Sequence, residues 1–225
     1  FNRFQNGMIY WTPSTNAHEI HGAILDLWSS LGFETSSIGY PLTDESAAPD
    51  GVGRFNAFQN GSIYWSPKSG ALVIPNVQTW DSGSITFSDG TALGGSCQVV
   101  ANSNGDWTFS GHMYDSGFDT YDYGVAAVLF TPSGVGYTLS YQGRAEGTSA
   151  GLPFGTPRRD DPWTRSGNNS SLRDNWLQAA QAIFKVEITS QDKLAAGLSD
   201  TVQKSLADLA QKGIEAGVVA LIALL

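Results

Sequence analysis

Cysteine and positive charge are scarce in this 225-residue sequence. Its single cysteine, Cys97, cannot form an internal disulfide, and no second thiol is present to share a zinc site. Lysine and arginine together number 12, against 21 aspartate and glutamate residues, which gives a net charge of -9. Because binding to phosphate groups relies on clustered lysine and arginine, this balance excludes nucleic acid as a partner.

Long apolar runs and catalytic motifs are also missing. The apolar stretch 218–225 is much shorter than the roughly 20 residues that a membrane-spanning helix needs, so we predict no membrane span. The sequence contains no Gly-x-Ser-x-Gly elbow, His-Glu-x-x-His, phosphate-binding loop, dinucleotide fingerprint or EF-hand spacing. These absences favour a protein that is not an enzyme, with a hydrolase left open as an alternative, and we assign no cofactor or metal.

Glycine and aromatic residues are abundant. The chain has 26 glycines, 7 tryptophans, 8 tyrosines and 11 phenylalanines, while charged residues make up only 15%. This composition is typical of short strands joined by tight turns. The length allows two small domains, each with its own core.

A segment near the start of the chain recurs 54 residues later. The sequence Phe-Asn-Arg-Phe-Gln-Asn-Gly-Met-Ile-Tyr-Trp at 1–11 returns as Phe-Asn-Ala-Phe-Gln-Asn-Gly-Ser-Ile-Tyr-Trp at 55–65. Each copy predicts a β-hairpin with a turn at Asn-Gly. Because Phe1 falls inside this repeated segment, we expect the natural chain to continue upstream of it.

Apolar residues recur at helical spacing after the first hairpin. They are Ile20, Ala23, Ile24, Leu27, Trp28 and Leu31. We predict a helix with Asn16 as its N-cap and Glu19 completing a capping box. Gly32 is expected to end this helix in a left-handed conformation.

The residues that follow the helix complete a recognisable pattern. Leu31-Gly32-Phe33 is followed by Ile38-Gly39-Tyr40-Pro41-Leu42-Thr43 and the acidic pair Asp44-Glu45. Residues 7–45, and 55–76 in part, resemble the LGFP repeat family. That family's repeats are appended to surface and secreted proteins, so the resemblance implies attachment to cell-wall material and not catalysis.

From about Trp80 the pattern changes to short β-type runs, which we predict at 84–88, 96–101, 106–113, 123–131 and 136–141. Residues 143–169 are rich in Gly, Pro and Ser and are predicted to form a long loop or linker. Two helical stripes follow, one from Leu172 to Phe184 and one from Leu194 to Leu209.

These patterns predict an α+β protein of three regions. LGFP-type hairpin and helix repeats occupy 1–78, an antiparallel β-sandwich or barrel with a long loop occupies 79–169, and a helical segment that packs on the β domain occupies 170–225.

Candidate ligand-binding residues are the aromatic and acidic side chains of the repeats. They are Tyr10, Trp11, Tyr64, Trp65, Asp44 and Glu45. An aromatic ring can stack on the apolar face of a sugar, but in a repeated strand each of these rings can equally pack in the core. The two carboxylates, with Asp50 nearby, can accept hydrogen bonds from hydroxyl groups or cap turns.

Two groups of histidines offer alternative chemistry. His112, Asp115, Asp119 and Asp122 are close in sequence, as a general acid and base pair requires, but a structural role beside a turn is the alternative. His18 and His21 have a spacing that suits two metal ligands on a helix, but no third ligand accompanies them. We interpret this pair as polar contacts at the start of the helix.

The sequence therefore predicts a secreted or cell-surface binding protein without catalytic activity, whose partner is a polysaccharide or cell-wall glycan. One alternative is a hydrolase of glycans or esters that uses the region of His112 and Asp115. A second is a self-assembling or membrane-active protein in which a C-terminal helix over 214–225 forms a homo-oligomer.

Overall fold

The structure is a computed structural model, and it describes residues 1–86, 91–190, 194–211 and 220–224. It consists mostly of antiparallel β-sheets with few helices. The chain divides into two compact units. The first unit comprises residues 1–77 and 174–181, and the second comprises residues 78–173 and 182–225.

Strands outnumber helices along the described part of the chain. The strands are β1 (Asn2–Arg3), β2 (Gly7–Thr12), β3 (Asn16–His21), β4 (Ser46–Ala47), β5 (Arg54–Phe58), β6 (Gly61–Ser66), β7 (Gly70–Pro75), β8 (Val77–Asp81), β9 (Leu93–Asn102), β10 (Asp106–Asp115), β11 (Tyr121–Phe130), β12 (Val135–Ala145), β13 (Asp160–Asn168), β14 (Ile183–Ser190) and β15 (Ala220–Ala223). The helices are α1 (Gly22–Leu31), α2 (Ser170–Asp174), α3 (Trp176–Ala179) and α4 (Leu194–Gln211), with short 3-10 turns at Phe33–Thr35 and Thr148–Gly151.

The first unit contains two similar antiparallel sheets, one from each copy of the repeated segment. Their strand orders are β1-β2-β3 and β4-β5-β6-β7. Asn16 and Gly70 occupy equivalent positions at the second turn of each sheet, and both have a φ of 67°. Asparagine and glycine tolerate this left-handed conformation better than other residues, so the two turns share one backbone geometry.

The start of the predicted first helix was wrong. Residues 16–21 form β3, which pairs with β2 along its whole length, and the helix begins only at Gly22. Asn16 is therefore a turn residue, and Glu19 completes no capping box. Ile20 is buried in the strand just as it would be in a helix, so the apolar spacing could not separate the two structures. The predicted end at Gly32 is confirmed, with a φ of 100°.

Trp28 lies at the centre of the first unit's core. Its ring lies 4.6 Å from Tyr10, 5.4 Å from Phe33 and 5.5 Å from Phe58, measured between ring centroids. Its indole Nε1 donates a hydrogen bond to the carbonyl oxygen of Gly39 at 3.2 Å. Helix α1 thus buries residues of both hairpins in one cluster, and the two repeats share a core.

The second hairpin also packs against a segment from much later in the chain. Trp176 Nε1 donates to the carbonyl oxygen of Pro75 at 2.9 Å, and Gln178 Nε2 donates to Asp50 Oδ2 at 2.6 Å. Trp176 and Leu177 are buried. Residues 174–181 therefore belong to the first unit, although the sequence pattern assigned them to a C-terminal segment on the β domain.

The second unit is built on two four-stranded sheets. Their strand orders are β13-β10-β9-β8 and β14-β11-β12-β15. Trp163 of β13 stacks on Tyr141 of β12 at 4.5 Å between ring centroids, so the two sheets contact each other through aromatic side chains. The predicted strands at 96–101, 106–113, 123–131 and 136–141 are confirmed by β9 to β12. Of the predicted run 84–88, Ile85 forms an isolated bridge with Gly95, and residues 87–88 lie outside the described residues.

Two predicted elements of this unit were wrong. Part of the expected loop 143–169 is strand β13, which pairs with β10. Only Asp161 and Trp163 of that strand are buried, so its exposed polar residues gave no strand signal. The expected helix from Leu172 to Phe184 consists of α2, α3 and the beginning of β14, because residues 183–190 pair with β11.

The last described elements belong to one sheet or pack on it. Helix α4 confirms the second helical stripe and packs on β11 and β14, with Val202 buried against Val128 and Phe130. The predicted C-terminal helix over 214–225 is contradicted at residues 220–223, which form β15 parallel to β12. Residues 214–219 and 225 of that prediction lie outside the described residues. Within the described residues, no helix combines the length and apolar character that crossing a membrane requires.

Candidate functional site

A shallow depression on the first unit brings aromatic, acidic and basic side chains together. This surface, named the Trp65 depression, is lined by His21, Ala23, Ile24, Glu45, Arg54 and Trp65. Ligand-binding surfaces commonly combine an aromatic ring with a few convergent polar groups in this way.

The fold explains why these side chains meet. Arg54 and Trp65 are directly opposite each other in the β5–β6 pair, so their side chains lie on the same face of that hairpin. His21 ends β3, and the first turns of α1 supply Ala23 and Ile24. The site therefore lies where the first repeat meets the second hairpin, and neither repeat contains all of it.

The polar side of the depression is a chain of ionisable side chains centred on Glu45. The Glu45 carboxylate forms an ion pair with the Arg54 guanidinium, and its Oε2 lies 3.4 Å from His21 Nδ1. His21 Nε2 lies 3.5 Å from Glu19 Oε2. Glu45 is only 9% exposed at its side chain, whereas His21 and Arg54 are about half exposed. Glu45 thus contacts two half-exposed side chains at the edge of the depression.

Asp44 has a different role from its neighbour. Its Oδ1 accepts hydrogen bonds from the backbone N–H of Glu19 at 3.0 Å and from His18 Nδ1 at 3.1 Å. These two contacts, the backbone one first, hold the pKa of Asp44 below its ordinary value. Asp44 does not line the Trp65 depression, and it joins the loop that follows Pro41 to strand β3.

The four candidate aromatics divide by strand face. Tyr10 and Tyr64 are each 4% exposed, so their ring faces lie inside the protein. Burial, followed by the nearby Glu34, raises the pKa of Tyr10 to about 12. Trp65 is half-buried and lines the depression, and Trp11 is 60% exposed and lies outside it. Of the six predicted site residues, the structure brings only Trp65 and Glu45 together at this place.

The alternative group around His112 is not assembled. His112 Nδ1 lies 2.9 Å from Asp160 Oδ1, a residue outside the predicted group. The Asp115 side chain is buried and accepts a hydrogen bond from the backbone N–H of Gly117 at 2.6 Å. Asp122 forms an ion pair with Arg144 at 3.2 Å. No contact found among the described residues joins two of His112, Asp115, Asp119 and Asp122.

Potential metal ligands are dispersed over the described part of the chain. No group of three or more His, Cys, Asp and Glu side chains suitable for a metal ion occurs there. The two early histidines have separate partners, because His18 Nε2 lies 2.7 Å from the carbonyl oxygen of Thr15, whereas His21 borders the Trp65 depression.

Sequence reasoning missed Arg54 and His21 as members of the site. A usable signal exists, since Arg54 immediately precedes the second repeated segment and the tight Asn-Gly turn places it opposite Trp65. No comparable local pattern indicates that His21 and Glu45, which are far apart in sequence, lie at the same place.

Comparison with known proteins identifies the first third of the chain. Residues 1–36 and 38–82 match the family model of the LGFP repeat, which confirms the resemblance found in the sequence. The LGFP repeat is a family often found in cell-surface proteins. No curated protein matches the chain.

Proposed function

From the two LGFP repeats in its first unit, we propose that this protein is a secreted or cell-surface binding protein that attaches to a cell-wall polysaccharide without catalysing a reaction. The observation that carries the proposal is the Trp65 depression, where an aromatic side chain, a carboxylate and a guanidinium line one surface. The frequent occurrence of LGFP repeats in cell-surface proteins supports this location.

The chemistry of the depression suits a neutral sugar ring. A pyranose has an apolar C–H face that stacks on an indole, and Trp65 offers such a ring at the depression. The hydroxyl groups at the edge of the sugar need donors and acceptors, which Arg54, His21 and Glu45 provide. Because Glu45 is ion-paired with Arg54, these groups are held in place before a ligand arrives.

The second unit is proposed to be a β-sandwich that accompanies the binding repeats. Its two sheets contact each other through Tyr123, Tyr141 and Trp163, whose ring centroids lie 4.5 to 6.4 Å apart. Facing antiparallel sheets with aromatic side chains between them are typical of this architecture.

A hydrolase at His112 is the second candidate function, and one observation favours it. His112 is hydrogen-bonded to Asp160 and lies opposite Ser96 in the β9–β10 pair, at an open depression that also contains Ser116. A serine, a histidine and an aspartate are the components of a nucleophilic site. Hydrolysis of a nitrophenyl ester that is lost in His112→Ala and in Ser96→Ala would support this candidate, and absence of hydrolysis in the wild type would remove it.

Co-sedimentation with insoluble cell-wall polysaccharide tests the proposed binding function. We expect the wild type to be retained, and we expect Arg54→Gln and Glu45→Gln each to weaken retention about tenfold, because each removes a charge-assisted hydrogen bond. Arg144→Gln is the matched control, since Arg144 is also an exposed arginine in an ion pair but lies in the second unit.

The control separates site binding from a general effect of charge. Equal losses in Arg54→Gln and Arg144→Gln would mean that retention depends on surface charge and not on the depression. Failure of the wild type to bind any cell-wall preparation would contradict the proposal directly.

A further inference from the structure

The two hairpins of the first unit have nearly the same sequence but differ in exposure. Phe58 is 2% exposed, whereas its equivalent in the first hairpin, Phe4, is 56% exposed. Ile63 is fully buried, and its equivalent Ile9 is 37% exposed. The first hairpin therefore presents apolar side chains whose counterparts are core residues in the second.

A single segment of the first repeat covers the second hairpin. This segment, called the helix-and-loop segment, comprises residues 22–47 from the start of α1 to the end of β4. Trp28 lies 5.5 Å from Phe58 between ring centroids, and both belong to a buried cluster that includes Ile24 and Ile63. The cover over the second hairpin is thus the helix-and-loop segment of the repeat before it.

Backbone hydrogen bonds join the same two parts. Gln59 N–H donates to the carbonyl oxygen of Tyr40 at 3.0 Å, and Leu42 N–H donates to that of Ala57 at 2.7 Å. Strand β5 also pairs with β4. In contrast, β1 is the edge strand of its sheet within the described part of the chain. Such an edge exposes backbone donors and acceptors that suit the addition of another segment.

An equivalent pair of asparagine side chains shows the same difference in exposure between the two hairpins. Asn56 is fully buried, and its Nδ2 donates to the carbonyl oxygens of Glu19 and Thr43, both at 3.0 Å. Its equivalent in the first hairpin, Asn2, is exposed. The first hairpin thus carries, exposed, the same asparagine that binds the helix-and-loop segment in the second hairpin.

We propose that the first hairpin is a docking surface for the helix-and-loop segment of another LGFP repeat. The surface consists of Phe4, Ile9 and the open edge of β1, and it is called the hairpin face. Its occupant must supply an apolar helix face like that of Ile24 and Trp28 and a loop that pairs with the edge of β1. The inference does not depend on the polysaccharide proposal.

A second copy of this chain does not fit as the occupant. Its own helix-and-loop segment already covers its own second hairpin, where Ile24, Trp28 and Ile38 are buried. The covering segment is also joined to the hairpin that it covers by the short connection 48–53. A repeat attached directly ahead of the first hairpin would be joined to it by an equally short connection. Its helix-and-loop segment would therefore have a high effective concentration at the hairpin face.

The test is an extended chain in which a copy of residues 1–54 is fused ahead of Phe1. The new junction between Arg54 and Phe1 reproduces the natural junction between Arg54 and Phe55. In the 225-residue chain, Phe4→Ser is expected to leave the thermal unfolding midpoint nearly unchanged. In the extended chain, the same change in the original hairpin is expected to lower the midpoint by on the order of 10 °C, because Phe4 becomes a core residue.

Phe118→Ser provides the matched control, because Phe118 is 61% exposed and lies in the second unit. It should behave identically in both chains. Amide hydrogen exchange gives a second readout that needs no substitution: the N–H groups of Arg3 and Gln5 should be protected in the extended chain. Their equivalents Ala57 and Gln59 donate to Thr43 Oγ1 and to the Tyr40 carbonyl oxygen.

Two results would overturn the inference. One is a Phe4→Ser effect that is equally small in both chains, together with unchanged exchange at Arg3 and Gln5. The other is a concentration-dependent dimer of the 225-residue chain that Phe4→Ser abolishes, because the occupant would then be a second copy.

Discussion

At the scale of single residues, Asp161 is the buried carboxylate that connects the two sheets of the second unit. It is 2% exposed, and it accepts hydrogen bonds from the hydroxyl group of Tyr123 at 2.7 Å and from the backbone N–H of Arg144 at 3.1 Å. Arg158 forms an ion pair with it. Because Asp161 belongs to β13, Tyr123 to β11 and Arg144 to β12, this carboxylate links the two sheets.

Asp161→Asn tests this role. The change keeps the shape but removes the charge that its partners require, so we expect the free energy of unfolding to fall by about 2–4 kcal/mol. Chemical denaturation monitored by circular dichroism measures the change. Asp160→Asn is the matched control, because Asp160 is half exposed and should cost less than about 1 kcal/mol. Equal effects of the two substitutions would contradict the assigned role.

The candidate site was only partly predictable from its individual residues. The repeated Ile-Tyr-Trp motif points to aromatic residues as site candidates, and strand alternation places a Tyr and the following Trp on opposite faces. The sequence does not say what covers each face, because Tyr10 packs on Trp28 of α1, whereas Tyr64 binds Asp50, which Gln178 from a distant segment also contacts. Tyr10 and Tyr64 were therefore considered together with Trp65, although only Trp65 lines the depression.

At the scale of secondary-structure elements, a short segment completes the second repeat. The repeat lacks a helix directly after β7, and residues 174–181 pack against it instead. Asp50 is the central contact: it accepts hydrogen bonds from Tyr64 and Gln178, both at 2.6 Å. Partial burial alone would raise the pKa of Asp50, but these hydrogen bonds and those from the N–H groups of Gly53 and Val52 hold it below its ordinary value.

A double-mutant cycle measures this contact. Asp50→Ala and Gln178→Ala should each destabilise the protein, and their effects should be non-additive by about 1 kcal/mol, because they remove the same hydrogen bond. Thermal and urea unfolding provide the free energies. The control pair is Asp50→Ala with Gln181→Ala, because Gln181 Nε2 donates to the Leu177 carbonyl oxygen and not to Asp50. Additivity in both cycles would show that the segment is not held through Asp50.

Elements with strong periodicity were predictable, and elements defined by distant partners were not. Strands β9 to β12 and helix α4 follow their apolar patterns. Strand β13 carries mostly exposed polar residues, and only its pairing with β10 makes it a strand. The beginning of β14 carries Ile183 and Phe184, which extend a helical stripe but pair with β11. Local spacing cannot reveal such pairings, because the competing structures bury the same side chains.

At the scale of the whole chain, the first unit is discontinuous in sequence. The chain leaves it at residue 77 and returns at residues 174–181. The boundaries predicted at 78 and 169 follow changes of composition, and a contact such as that of Trp176 with Pro75 joins residues about a hundred positions apart. A fragment that ends near residue 76 would lack this segment, so binding experiments need the full chain.

Ligand binding is proposed at one repeat junction, and the central claim is that Trp65 forms the sugar-binding surface there. Retention of the full chain on insoluble cell-wall polysaccharide tests it most directly, with Trp65→Ala compared against Trp11→Ala. Trp11 is the equivalent residue of the first hairpin, and it lies outside the depression. Circular dichroism establishes that both variants are folded. We predict that Trp65→Ala reduces affinity about tenfold or more while Trp11→Ala binds like the wild type. Undiminished binding by a folded Trp65→Ala variant would contradict the claim.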